Sequence, residues 1–164
     1  LLKTELERKK LSAAGLRFAV VVARWNRNIT SQLEGGAIHG LRSAGCTEDA
    51  IDIYHVPGAF ELPLACKLAA ETRKFDAVIA LGCVIRGDTP HFDFVAGEAA
   101  RGLMDVSLKT GVPVIFGVIT TENLEQAIAR AGEAAHPDNK GNEAAVTAIE
   151  TVHSCRNISG TFEF

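Results

Sequence analysis

The most constraining feature of this chain is the run Phe18-Ala-Val-Val-Val-Ala23, apolar without alternation and rich in β-branched side chains. Such a strand is buried on both faces, and parallel strands of this kind need helices on either side to cover them. A similar apolar pattern returns over residues 75–85 and 112–120, with a shorter strand over 50–56 stopped by Pro57-Gly58. Helical spacing fills the intervals. Ser31 and Glu34 read as a capping box for a helix carrying Leu33, Ala37, Ile38, Leu41 and Ala44 and ending near Gly45. Further helices are expected over 61–74, 90–110, about 124–131 and about 141–158. Four strands alternating with helices predict an α/β protein, a three-layer α/β/α sandwich on a four-stranded parallel sheet with right-handed crossovers. No linker or repeat divides the chain, so residues 16–164 read as one domain behind a polar N-terminal arm over 1–15.

Composition narrows the partners. The 164 residues hold 17 Lys and Arg against 20 Asp and Glu, a net charge of −3, which leaves no basic excess for nucleic acid or an anionic membrane. No apolar run approaches a membrane span, and the first ten residues lack a signal-peptide core. Cys46, Cys66, Cys83 and Cys155 show no zinc-type spacing, and scattered thiols suit a reducing, cytoplasmic setting. The 15 glycines point to many tight turns and close backbone approaches.

Ligands of open parallel sheets sit outside the carboxyl ends of the strands, so the chemistry is expected in the four loops there. The first holds Trp25 and Asn26, able to stack on a planar heterocycle and read a hydroxyl, although a core or interface tryptophan is the plainer reading. The second runs Pro57-Gly58-Ala59-Phe60-Glu61, where Glu61 either favours a helix dipole or contacts a polyol. The third, from Gly82 to His91, has Thr89 as a helix cap and Pro90 in the first turn, the outline of an anion site beside Gly87, with Asp88 counting against it. His91 has the residue type for proton transfer at neutral pH. Arg130 is a solvated helix residue or a phosphate clamp, and Phe116 is most simply core. Cys83 is packing or, with His91, a nucleophile. No dinucleotide or P-loop fingerprint occurs.

Taken together, Arg24-Trp-Asn26, Val56-Pro-Gly-Ala-Phe-Glu-Leu-Pro63, Leu81-Gly-Cys-Val-Ile-Arg-Gly-Asp-Thr-Pro-His-Phe-Asp93, Phe116-Gly-Val-Ile-Thr-Thr-Glu-Asn123 and Asn139-Lys-Gly-Asn-Glu-Ala-Ala145 resemble the 6,7-dimethyl-8-ribityllumazine synthases of riboflavin biosynthesis. The resemblance runs in register from about residue 17 to 154. It implies a flavodoxin-like fold and a transferase that needs neither cofactor nor metal. It places Trp25 on the pyrimidine ring, Asn26, Ala59 and Glu61 along the ribityl chain, Phe60 among the substrate contacts, and the backbone of Cys83, Val84 and Ile85 on the uracil. It gives the phosphate to Gly87, Asp88, Thr89 and Arg130, the proton shuttle to His91, pocket closure from an adjacent subunit to Phe116, and a site near the pyrimidine to Lys140. Members assemble as homopentamers with active sites between subunits, and some form icosahedral shells that can house riboflavin synthase. The connection from Arg130 to Lys140 looks longer than in shell formers, which implies a free pentamer. Two other readings are a non-catalytic lumazine- or flavin-binding relative and a hydrolase using Cys83 and His91.

Overall fold

The computed structural model describes residues 11–160. Its strands are β1 (Phe18–Ala23), β2 (Ile51–Val56), β3 (Ala77–Ile85) and β4 (Val114–Thr121). The helices are α1 (Arg27–Ser43), α2 (Leu62–Glu71), α3 (His91–Thr110), α4 (Leu124–Ala131) and α5 (Lys140–Ser159). All strands are parallel, in the order β2-β1-β3-β4.

The unbroken apolar strands have a direct explanation. Phe18, Val20 and Val22 of β1, with Ile79, Leu81 and Cys83 of β3, face a core shared with Leu33, Ala37 and Leu41 of α1 and Ala145 and Ile149 of α5. The alternate residues Ala19, Val21, Val78 and Ala80 face Leu62 and Cys66 of α2 and Ala99 and Leu103 of α3. Both central strands therefore alternate between two cores rather than between core and water, which is why no polar residue interrupts them. The result is the expected three-layer sandwich, with α1, α4 and α5 on one side and α2 and α3 on the other.

After β1 and β2 the chain crosses β1 to place β3 on its far side, so the strand order reverses between β1 and β3. That switch point opens a crevice at the carboxyl ends of the two strands. Of the N-terminal arm, residues 1–10 lie outside the described residues. Residues 11–15 rest on the domain itself: the buried Ala13 donates its N–H to Ala44 O at 2.8 Å, and His153 Nε2 meets Ser12 O at 2.8 Å.

Two helix starts differ from expectation. Helix α1 begins at Arg27, not after Ser31, because Asn26 O already accepts the N–H groups of Ile29 and Thr30 at 2.9 and 3.0 Å. Glu34 is therefore an interior residue, paired with His55 at 2.8 Å and Arg27 at 3.4 Å. Helix α3 starts at His91 with Pro90 at the N-cap, and the Thr89 hydroxyl accepts the His91 N–H at 3.4 Å. The cap expected at Thr89 is thus displaced by one residue.

Candidate active site

Three loops are laced together over the switch point. Arg24 and Trp25 donate backbone N–H groups to Val56 O at 2.8 Å and Pro57 O at 3.0 Å, which joins the ends of β1 and β2. Asn26 adopts left-handed backbone angles, φ 59° and ψ 48°, a conformation asparagine tolerates better than most residues. Its side-chain Nδ2 donates to Cys83 O at 2.9 Å, so the same residue ties β1 to β3. In the second loop the Glu61 Oε2 accepts the Gly58 N–H at 2.9 Å. A Cβ on Gly58 would lie 3.1 Å from Trp25 Cε3 and 3.2 Å from Glu61 Oε2, so glycine lets indole and carboxylate close over this turn.

The space left is an open cleft of about 570 Å³ lined by Trp25, Asn26, Gly58, Ala59, Phe60, Glu61, Cys83, Val84, Ile85, His91, Phe94 and Val95. Trp25 is 75% exposed, which removes the core reading and leaves its ring face open to a ligand. Phe94 and Val95 were not singled out from the sequence. The signal was there in spacing, since positions three and four after His91 share its side of a helix.

Gly87, Asp88 and Thr89 are exposed in the β3–α3 loop and do not line that cleft. The loop is fastened at its base by Arg86, whose Nε donates to Glu122 Oε2 at 2.8 Å and Nη1 to Asp93 Oδ1 at 3.3 Å. The same guanidinium lies 4.2 Å from the centre of the Phe92 ring.

Phe116, Arg130 and Lys140 gather elsewhere. They line a second cleft, about 650 Å³, between edge strand β4 and helix α5. Phe116 is 47% exposed, so it is not core: β4 is an edge strand, and nothing among the described residues covers this part of it. Lys140 Nζ donates to Glu143 Oε2 at 2.5 Å, a partner the sequence reading did not name. The two clefts share no lining residue.

Cys83 is poorly suited to act as a nucleophile. The residue is 4% exposed and belongs to the α1/α5 core, while burial pushes its thiol up to about 11. A hydrolase built on it would need a thiolate at neutral pH. Among the described residues no group of three or more His, Cys, Asp or Glu is placed to hold a metal ion, and no helix is long and apolar enough to cross a membrane.

A doubly covered parallel sheet with an aromatic, histidine-bearing cleft at its switch point is the architecture of an α/β enzyme with a small-molecule site. Comparison with known proteins specifies which. The family model described as 6,7-dimethyl-8-ribityllumazine synthase matches residues 15–156. The chain is 57% identical over 148 residues to 6,7-dimethyl-8-ribityllumazine synthase of Chlorobium luteolum, and 55% identical over 148 residues to that of Chlorobium chlorochromatii. Each alignment covers 90% of this chain and 94% of the relative. The chain belongs to the 6,7-dimethyl-8-ribityllumazine synthase family, and its sandwich is of the flavodoxin-like kind.

Proposed function

We infer that the protein is a transferase that condenses 5-amino-6-(D-ribitylamino)uracil with 3,4-dihydroxy-2-butanone 4-phosphate. The products are 6,7-dimethyl-8-ribityllumazine, phosphate and water, in the penultimate step of riboflavin biosynthesis. The observation that carries this reading is the gathering, in one cleft at the switch point, of Trp25, Asn26, Ala59, Phe60, Glu61, His91 and the strand end 83–85. These are the positions that the resemblance assigns to substrate contacts and the proton shuttle.

The chemistry suits these residue types. The primary amine of the pyrimidine adds to the ketone and loses water to give an imine; phosphate then leaves by elimination, and the ribitylamino nitrogen closes the ring with loss of a second water. No atom changes hands with a redox partner, so orientation and proton transfer are the tasks left to the protein. Trp25 offers a stacking face for the ring. One Asn26 Nδ2 N–H is engaged by Cys83 O, which leaves its second N–H and its Oδ1 for ribityl hydroxyls. Glu61 offers its second carboxylate oxygen to the same chain. Holding both reactants aligned supplies up to about 7–11 kcal/mol in favourable cases, and His91 moves the protons of imine formation and elimination. Arg130, with Gly87 and Thr89, binds the phosphate; Asp88 must turn its carboxylate away from that dianion.

The separation of Phe116, Arg130 and Lys140 from the aromatic cleft supports an active site completed between two copies of the chain. Exposed Leu64, Leu68, Met104 and Leu108 on α2 and α3, with Leu124 and Ile128 on α4, supply apolar surface for that association. The assembly is a homopentamer. The length of the connection from Arg130 to Lys140 supports a free pentamer rather than a shell able to house riboflavin synthase. The free thiols suit a cytoplasmic location.

The test is direct. The purified protein mixed with both substrates is expected to produce lumazine absorbance and release phosphate in equal amounts. Binding of lumazine or a flavin without turnover would instead establish a non-catalytic relative. Sedimentation is expected to give a pentamer, and a megadalton particle would overturn the free form.

A further inference from the structure

We propose that Asn139 is a positioning residue that sets the separation of the two cations in the β4 cleft, Arg130 and Lys140. The proposal rests on the reading above, in which those cations meet the substrates.

Asn139 is fully buried, one of three buried polar residues among those described. Its side chain makes four hydrogen bonds. Nδ2 donates to Gln32 O at 3.0 Å and to Glu133 O at 3.3 Å, while Oδ1 accepts from Gly141 N at 2.8 Å and Asn142 N at 3.1 Å. Two donors and two acceptor sites are all that a carboxamide offers, so the group is saturated. The plain reading is an N-cap for α5, and that accounts for the Oδ1 bonds only. Serine or aspartate would cap as well. The two donor bonds need the amide, and they reach outside α5, to α1 and to the connection after α4.

Those bonds run toward the cations. Lys140 is the next residue in the chain, and Glu133 lies three residues beyond Arg130. Both cations line the one cleft. The amide thus pins the start of α5 and the start of the connection after α4 to the same point on α1. The two helices meet closely here: a Cβ on Gly36 of α1 would fall 2.0 Å from Asn139 Oδ1, and one on Gly141 of α5 would fall 1.8 Å from Leu33 O. A buried, saturated polar group fixes geometry because any shift leaves one of its partners unpaired.

Asn139→Asp separates the two roles. It keeps both capping bonds and turns a carboxylate oxygen toward two carbonyls. Asn139→Ser, uncharged and shorter, keeps a capping oxygen and serves where the aspartate does not fold. The variant is expected to give the circular dichroism and sedimentation of the parent, with kcat/KM for the phosphate-bearing substrate down about tenfold or more. In an Arg130→Ala, Lys140→Ala background the same substitution is expected to cost almost nothing, because there is no cation left to misplace. An equal loss in both backgrounds, parental kinetics, or failure of both variants to fold overturns the proposal. If the parent itself makes no lumazine, the assigned reaction falls, and the positioning claim is decided by amide hydrogen exchange. Faster exchange over residues 130–133 and 140–143 in Asn139→Asp supports it, and unchanged exchange overturns it.

Discussion

The two clefts of one chain differ in what lines them. The cleft at the switch point is aromatic and bounded by backbone, with Trp25, Phe60 and Phe94 all more than half exposed around His91 and Glu61. The cleft along β4 carries Arg130 of α4, Lys140 of α5 ion-paired with Glu143, and a single aromatic, Phe116. In the proposed reading the first takes the planar ring and the ribityl chain, and the second supplies Arg130 to the phosphate. In the proposed two-copy reading, the aromatic cleft of one copy and the Arg130 and Lys140 cleft of another complete one site, and the variants below test that reading.

The largest expected effect tests the aromatic cleft. His91→Ala removes the one imidazole in it and is expected to lower kcat by about 10²-fold or more without abolishing turnover, since general acid–base catalysis contributes roughly that much. The residual rate is expected from orientation of the two reactants. A kcat within error of the parent in steady-state kinetics would move the proton shuttle elsewhere.

The β4 cleft should respond differently. Arg130→Ala is expected to raise KM for the phosphate-bearing substrate by about ten- to a hundredfold, the range for losing a charged hydrogen bond, with a smaller change in kcat. An equal fall in kcat and kcat/KM would show instead that the guanidinium acts only in the transition state.

Mixing the two variants sharpens the contrast. If each site takes His91 from one subunit and Arg130 from the next, co-assembled His91→Ala and Arg130→Ala chains leave about a quarter of the sites with both residues intact. Activity should rise to about that fraction of the parental level. A site contained within one chain gives no recovery, because every chain carries one defect, and that result would end the two-copy reading.

The core was legible in the sequence and the clefts only in part. Strands β1 and β3 announce themselves because they are buried on both faces, and α4 falls on the expected residues, 124–131. The start of α1 was missed because Asn26 takes its left-handed turn with its side chain committed to Cys83, a partner 57 residues away. Phe116 looked like core because β4 is apolar, and only the strand order makes β4 an edge. Trp25, Glu61 and His91 each carried a plausible structural role alone; the reversal between β1 and β3 brings them together. Asn139 gave no local sign beyond capping, since its reach to Gln32 spans 107 residues.

The smallest effect concerns the thiols that a nucleophile reading would use. Cys46, Cys66 and Cys83 are buried and Cys155 is exposed. Burial pushes Cys66 up to about 12 and Cys83 up to about 11, and raises Cys46 through burial and then the nearby Asp49. All three are protonated at neutral pH, so iodoacetamide at pH 8 is expected to label Cys155 alone and to change activity by less than about twofold. The same burial sets a pH limit. An unfolded thiol ionises near 9.0, so above that pH the unfolded chain has released protons that the native chain still holds up to about 11–12. The native state binds more protons in that window, and stability, complete below about pH 9, falls as pH rises through it. Denaturant midpoints at pH 8 and pH 10.5 should show a modest loss, and Cys66→Ala should flatten it despite a lower starting midpoint. A parental slope in that variant would assign the alkaline loss to other groups, and labelling of Cys83 with loss of turnover would reopen the aromatic cleft to covalent chemistry.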